Sequence, residues 1–291
     1  MAPPDAQGGR AVHVTHEDVR RLCEFIYRRT GMLFDDSKRY YIDRRIAERI
    51  AATGSESFQA YFAALRSDAR QEIEHLVNAF TVNETYFYRE EHQLRCMTSH
   101  LLDDLLLRKQ SGESLRIWSI PCSTGEEPYS IAIWLMENWS EVDRHNIEIV
   151  ASDIDTRAMK AAAEGIYGAR ALMRLSPSLV DRYFVRLGDG QFQIDPGLRE
   201  SIQFTHVNLV DLRQMATYRD FDIIFCRNVL IYFDDASRRI AAESLFDCLQ
   251  PGGYICLGHS ETMSRISPLF DVRRFPDAIV YQRPETLHDR S

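Results

Sequence analysis

The chain has 291 residues, 45% of them hydrophobic, which is ample for a sizeable core and gives a prior of two domains. Its formal net charge of -8 excludes nucleic acid as the main partner, because that partner rewards a basic footprint. No apolar run reaches the roughly 18 residues of a membrane span, residues 1–9 are too polar and proline-rich for a signal peptide, and the six cysteines are scattered without a CxxC. The expectation is therefore a soluble, cytoplasmic protein with reduced, buried thiols, and no disulfide or zinc framework.

Residues 1–14 read as a loose tail rich in Pro, Gly and Ala. Thr15 is a plausible N-cap before Val19, Leu22, Cys23 and Ile26, which recur at helical spacing until Gly31. A second helix is expected over 37–53, capped by Asp36 or Ser37 and ended by Gly54. Ile42, Ile46 and Ile50 form its apolar stripe, and Lys38, Arg45 and Arg49 line an adjacent one, with Arg39 and Arg44 nearby. Two readings of this basic face stand: a solvated face whose arginine stems cover apolar surface, or a docking face for an acidic partner. Helices over 57–65 and 69–80 follow. The stretch Thr81-Val-Asn-Glu-Thr-Tyr-Phe-Tyr-Arg-Glu90 then breaks the period and mixes polar residues with three aromatics, as a domain junction that is also part of a site would do. The spacing of Leu94, Met97, Leu101, Leu102 and Leu105 predicts one helix over 91–109.

From Leu115 the pattern changes. The run 115–120 reads as a strand, 121–127 as a tight turn with one glycine, and the stretch opened by Pro128 as a helix, which together begin a nucleotide-type βαβ unit. A second strand, 147–153, ends in Asp153, the position from which a doubly wound sheet reaches a ribose. Glu126 and Glu127 stand where a pyrophosphate would bind and would repel it, so the ligand reads as a nucleoside without phosphates. Helices are expected over 157–164 and 177–183, and Gly188-Asp-Gly190 between short apolar alternations suggests a small hairpin over 185–194. Strands follow over 202–208, 221–226 and 254–258, with a helix over 235–249, a Pro251-Gly-Gly253 turn, and 278–282 closing the sheet. The fold class is α/β, a doubly wound, mostly parallel sheet with right-handed crossovers.

No hydrolytic or metal constellation emerges: the nine histidines contain no HExxH, no serine lies in a GxSxG elbow, and Gly125 alone does not make GxGxxG. What remains is a set of polar residues at the carboxyl ends of successive strands: 123–127, Asp153, Asn208, and Arg227 with Asn228. Each also has a plainer role open to it. Glu126 can favour a helix N-terminus, Asn208 can cap a turn, and Arg227 can pair with a surface acid.

Five stretches carry a resemblance to a family: 81–90, Cys122-Ser-Thr-Gly-Glu-Glu-Pro-Tyr-Ser130, Ala151-Ser-Asp-Ile-Asp155, Phe225-Cys-Arg-Asn-Val-Leu-Ile-Tyr-Phe-Asp234 and Gly258-His-Ser-Glu261. In order and in spacing they resemble the chemotaxis receptor glutamate methyltransferases, the CheR family, over about 15–282. The resemblance implies an N-terminal helical domain with its linker over 15–90. It also implies a Rossmann-like S-adenosylmethionine domain over 91–284 with a small antiparallel β-subdomain near 184–200, and a tail over 285–291. Carried over by position, the family's contacts to S-adenosylmethionine fall on Asn83, Thr85, Arg89, Glu127, Asp153, Asn208, Leu209, Arg227 and Asn228. Arg89 and Tyr232 are implied near the transferred methyl, with a core tyrosine the plainer reading of Tyr232.

A substrate glutamate, with a reference pKa of about 4.3, is ionised at neutral pH and attacks a sulfonium methyl without a general base. The resemblance implies the cytoplasmic methylation helices of chemoreceptors as partner, S-adenosylhomocysteine as product, and no metal. Acidic receptor helices would give the basic face at Lys38, Arg45 and Arg49 its partner. The insert around Gly188-Asp-Gly190 is a few residues shorter than in relatives that tether to a receptor's C-terminal peptide, so strong pentapeptide tethering is not expected. Three alternatives share parts of this pattern: a methyltransferase for another acid or protein, a non-catalytic S-adenosylmethionine sensor, and an NAD(P) oxidoreductase, which the acidic loop disfavours.

Overall fold

A computed structural model describes residues 14–67, 69–110 and 112–285, so that the expected tails, save residues 14 and 285, lie outside the described residues. The chain divides into two compact units, the first holding the residues up to Arg29 and Leu33–Phe80, the second holding Thr30–Met32 and everything from Thr81 on. In the first unit, α1 (His16–Thr30), α2 (Arg39–Thr53), α3 (Phe58–Arg66) and α4 (Arg70–Phe80) bury Leu22, Ile26, Ile42, Ile46, Ile50, Phe58, Leu65, Leu76 and Phe80. The stripes at helical spacing therefore make one core. Thr15 caps α1 reciprocally: its hydroxyl accepts from the Asp18 N–H at 3.1 Å, and its own N–H donates back to Asp18 Oδ2 at 3.1 Å.

The second helix starts differently from the expectation. Asp36–Lys38 is a 3-10 turn, and the N-cap position falls on Lys38 without a side-chain bond rather than on Asp36 or Ser37. Asp35 is the competitor: its Oδ1 takes the Ser37 N–H at 3.0 Å, an Asx-type turn that occupies the residue expected to cap. Gly54 ends the helix in the left-handed region at φ 67°, as its position suggested.

The second unit opens with α5 (Glu91–Cys96), a π-type turn over Met97–Leu101 and α6 (Leu102–Leu106), in place of one regular helix over 91–109. At that turn Thr98 Oγ1 accepts from Trp134 Nε1 at 3.1 Å, an inserted contact of the kind that widens a helical turn. Then come β1 (Leu115–Ser119), α7 (Glu126–Asn138), β2 (Ile147–Asp153), α8 (Thr156–Glu164), β3 (Ile166–Gly168), α9 (Pro177–Tyr183), β4 (Phe184–Arg186), β5 (Gln191–Ile194) and α10 (Pro196–Ser201). The unit closes with β6 (Ile202–His206), α11 (Leu212–Met215), β7 (Phe221–Cys226), α12 (Asp235–Cys248), β8 (Leu249–Leu257), β9 (Asp271–Arg274) and β10 (Ile279–Gln282).

The main sheet has the order β6-β2-β1-β7-β8-β10-β9, with β6 through β8 parallel and β10 antiparallel to both neighbours. All six residues of β7 are buried, as a central parallel strand covered on both faces requires. The chain runs outward through β2 and β6 on one side of β1 and through β7 and β8 on the other, so the crevice of this open sheet opens between β1 and β7. Two sequence expectations change here. Pro251-Gly-Gly253 is not a separate turn but an irregularity inside β8, where the pairing with β7 slips between Phe221 and Ile223. The strand at 278–282 does not close the sheet, because β9, whose four residues are all exposed and carry no apolar alternation, adds outside it. The small antiparallel sheet, order β3-β5-β4, is wider than 184–200, since the three-residue β3 pairs with β5.

Candidate active site

The loop after β1 is folded against the end of β2. Cys122 donates its N–H to Ser152 O at 2.8 Å and Ser123 donates its N–H to Asp153 Oδ2 at 2.7 Å. Gly125, at φ 94°, caps α7, so the helix begins at Glu126 and Pro128 sits in its first turn, where a missing N–H costs nothing. A Cβ on Gly125 would lie 2.9 Å from Ala162 Cβ and 3.0 Å from Tyr167 Oη, so the turn needs glycine for space as well as for φ. Asp153 is 4% exposed, and its second oxygen takes the Asp155 N–H at 2.9 Å. Burial pushes its carboxyl up to about 6, against the pull of these backbone bonds. Asp155 in turn caps α8 and accepts from Asn83 Nδ2 at 2.7 Å, while Asn83 Oδ1 accepts from the Ser123 hydroxyl at 3.1 Å. The polar segment 81–90 is thereby tied to the loops after β1 and β2.

A second set of charges runs from the first turn of α7 to the loop after β7. Glu127 accepts from Ser119 Oγ at 2.7 Å and from Arg227 Nη1 at 2.7 Å. Burial raises the Glu127 carboxyl, and Arg227 and the Ser119 hydroxyl oppose the rise. Arg227, whose side chain is 3% exposed, also donates to Arg89 O at 2.8 Å and lies 3.3 Å from Glu90 Oε2. Burial pushes the Glu90 carboxyl up, but the Arg227 charge and the bonds from His259, whose Nδ1 lies 2.9 Å from Glu90 Oε1, outweigh it and hold that carboxyl below its usual range. Arg227 thus bridges two carboxylates in the interior, rather than pairing with a surface acid. Neither Glu90 nor Ser119 was flagged by sequence. Glu90 stood in a quoted motif, but only folding brings it to Arg227.

These residues wall two cavities that share Pro121. One is lined by Thr85, Arg89, Ser123, Glu127, Arg227 and Asn228 with the stem of Val82. The other is apolar apart from its rim, with Ile154, Val207, Leu209, Val229 and Phe233 around Asp153 and Asn208. Eight of the nine residues expected to hold a ligand line one or the other. The ninth, Asn83, reaches the first through Ser123. The Arg89 Nη1 donates to Glu84 O at 2.6 Å. Asn208 Oδ1 accepts from the Val210 N–H at 3.1 Å, so its turn-capping role is real alongside its place in the wall. Tyr232 ends the 3-10 turn Leu230–Tyr232 and lines neither cavity.

The donor set fits a phosphate-free nucleoside with a charged tail. Glu84, Glu127 and Asn228, with Arg89 and Arg227 and without glycine N–H groups, line the polar cavity, Asp153 and Asn208 line the apolar one, and Arg227 keeps a buried Nε donor that no protein acceptor takes. Among the described residues no group of three His, Cys, Asp or Glu is placed to hold a metal, and no helix is long and apolar enough to cross a membrane.

In the first unit, the basic stripe of α2 divides. Arg49 grips Glu72 with both Nε, at 3.0 Å, and Nη2, at 2.5 Å, and Tyr61 Oη donates to the same carboxylate at 2.8 Å. Arg45 stands over the Tyr41 ring at 5.0 Å and reaches Glu48 at 3.1 Å, while Lys38 is exposed at the start of the helix.

Comparison with known proteins gives the family. The family model described as CheR methyltransferase, all-alpha domain, matches residues 17–81, and that described as CheR methyltransferase, SAM binding domain, matches residues 83–279. Chemotaxis protein methyltransferase 2 of Vibrio cholerae is 46% identical over 272 residues, covering 93% of this chain and 94% of that protein. The chemotaxis protein methyltransferase of Salmonella typhimurium is 36% identical, covering 87% of this chain and 86% of that protein. That of Escherichia coli is 34% identical and covers 87% of each.

Proposed function

The chain belongs to the CheR methyltransferase family, and on that premise we propose that its second unit carries out S-adenosylmethionine-dependent methylation of chemoreceptors in chemotaxis, converting glutamate side chains to methyl esters. The observation that carries this reading is two carboxylates held around the loop that Gly125 closes, Glu127 in the first turn of α7 and Asp153 at the carboxyl end of β2. The two carboxylates offer acceptors to hydroxyls and to an ammonium at the end of the sheet where ligands of such folds bind. When bound, S-adenosylmethionine supplies an electrophilic methyl that a carboxylate oxygen takes in one displacement, leaving S-adenosylhomocysteine.

This chain's residues have limited work to do. Asp153 accepts from ribose hydroxyls, Glu127 from the ammonium, and Asn83, Thr85, Asn208, Leu209, Arg227 and Asn228 shape and line the site. Arg89 orients the incoming carboxylate, with Tyr232 assigned to the same task from the next loop. Too close a pairing with Arg89 would blunt the nucleophile, so its role is positioning, and correct positioning is worth about 7 to 11 kcal/mol of barrier. A glutamate already ionised at neutral pH needs no general base, in keeping with two cavities that no histidine lines.

We assign receptor docking to the exposed start of α2 at Lys38 and to Arg45, with Arg49 holding α2 on Glu72 instead of meeting the partner. The short hairpin between β4 and β5 supports docking without firm tethering to a receptor tail peptide. Cytoplasmic placement is supported by six free cysteines, five of them buried. The reading is tested by titrating S-adenosylhomocysteine into wild type and Glu127→Gln. Wild type is expected to bind and the variant to bind at least tenfold more weakly. Equal affinities would remove Glu127 from the site.

A further inference from the structure

The motif Gly258-His-Ser-Glu261 follows β8 and lines neither cavity, yet its carboxylate is aimed at the loop after β7. Glu261 Oε2 accepts the Asn228 N–H at 2.8 Å and the Gly258 N–H at 2.9 Å, and Oε1 accepts the Leu230 N–H at 2.7 Å. Three main-chain donors from two chain segments thus converge on one side chain. Asn228 sits in the left-handed region at φ 60°, which asparagine adopts more readily than other residues with a Cβ and which the Glu261 bonds to its N–H and to that of Leu230 hold in place. The fit around it is close: a Cβ on Gly258 would lie 2.5 Å from Asn228 Nδ2 and 3.0 Å from Asn228 N, so the loop after β8 presses directly on Asn228.

Asn228 also lines the polar cavity, beside Arg227 and Glu127. A bond that fixes the Asn228 backbone therefore fixes the aim of its side chain and the placing of the Arg227 guanidinium one residue earlier. The far end of the same loop is held separately, by Arg238 Nε donating to Leu230 O at 2.9 Å from α12. Loss of the Glu261 carboxylate would leave the loop anchored at Leu230 and free to relax at Asn228.

We propose that Glu261 is a positioning residue for methyl transfer: its carboxylate locks the left-handed turn at Asn228 and so shapes the wall of the cofactor cavity without touching the ligand. This rests on reading that cavity as the S-adenosylmethionine site. Glu261→Gln is nearly isosteric, but it replaces one of the two accepting oxygens with an NH2 group that faces a backbone N–H and cannot accept from it. In a positioning role, Glu261 acts through Asn228, so the two substitutions are coupled rather than additive.

The test is a double-mutant cycle of Glu261→Gln and Asn228→Ala, read as the dissociation constant for S-adenosylhomocysteine by calorimetry, with folding checked by near-UV circular dichroism. Glu261→Gln is expected to weaken binding tenfold or more while remaining folded, and Asn228→Ala is expected to weaken it by less than a further threefold on top. Binding within twofold of wild type in folded Glu261→Gln, or full additivity with Asn228→Ala, overturns the proposal. Should Glu261→Gln not fold, Glu261→Asp takes its place in the cycle, and failure of both to fold overturns the proposal in favour of a purely structural role. Absence of binding in wild type would instead sink the cofactor reading itself.

Discussion

Asp153 shows how burial sets the pH response of a single side chain. Its carboxyl is raised from an ordinary 3.8 to about 6, so between those values the folded protein holds a proton that the unfolded chain has lost. Its contribution thus favours the folded state below pH 3.8 and is lost as pH rises through 6. The ionised carboxylate accepts from hydroxyls through both oxygens and more strongly than the protonated acid, so ligand binding favours the opposite state from proton binding. We predict that affinity for S-adenosylhomocysteine falls as pH drops through 6, and that Asp153→Asn binds at least tenfold more weakly at pH 7 with a flat profile. Calorimetric titrations over that range decide it, and a flat wild-type profile contradicts the role. Asp153 and Glu127 were legible in sequence because each ends a strand or opens a helix at a known place in a βαβ unit. Glu90 and Glu261 were not, although both stood in quoted motifs, because Glu261 meets Asn228 only through the pairing of β7 with β8, and Glu90 meets Arg227 only when the segment before α5 folds against the loop after β7.

At the scale of elements, spacing located the longer helices and local competitors moved some of their ends, while the short α10 and α11 escaped it. Asp35 displaced the cap of α2, Thr98 accompanies a π-type turn between α5 and α6, and Pro251-Gly-Gly253 was absorbed into β8. β9 escaped sequence reading altogether because an edge strand with four exposed residues has no apolar period. Two outcomes follow from the elements that were placed. Gly125→Ala puts a Cβ against Ala162 and Tyr167 at φ 94° and is expected to cost about 1–3 kcal/mol, read as a fall in the denaturant midpoint, with weakened cofactor binding. Unchanged stability would mean the loop after β1 is not held as described. On α2, Arg49→Ala leaves the Glu72 carboxylate without its ion pair and is expected to cost about 1–3 kcal/mol while leaving the apparent KM for receptor unchanged. Arg45→Glu is expected to do the reverse, raising that KM severalfold with little loss of stability. Receptor kinetics that respond to Arg49 and not to Arg45 would contradict the division of the stripe.

For the molecule as a whole, five motifs in register named the family from sequence, because the residues that build the crevice lie at strand ends in a fixed order. How charges are shared among them was not legible, since Arg227 serves Glu127, Glu90 and Arg89 together. Each unit has its own core, so the protein is expected to melt in two transitions, with only the second unit's moved by ligand. At a hundred times its dissociation constant, S-adenosylhomocysteine adds about 2.7 kcal/mol. In a unit of this size that raises the midpoint by roughly 5–11 °C. Equal shifts in both transitions would contradict a site confined to the second unit. The central claim is tested most directly by incubating the protein with methyl-labelled S-adenosylmethionine and chemoreceptor-bearing membranes, then treating with alkali. Label is expected on the receptor and is released by alkali as methanol, the mark of a carboxyl methyl ester. Receptor that takes up no label, or label that resists alkali, would contradict it.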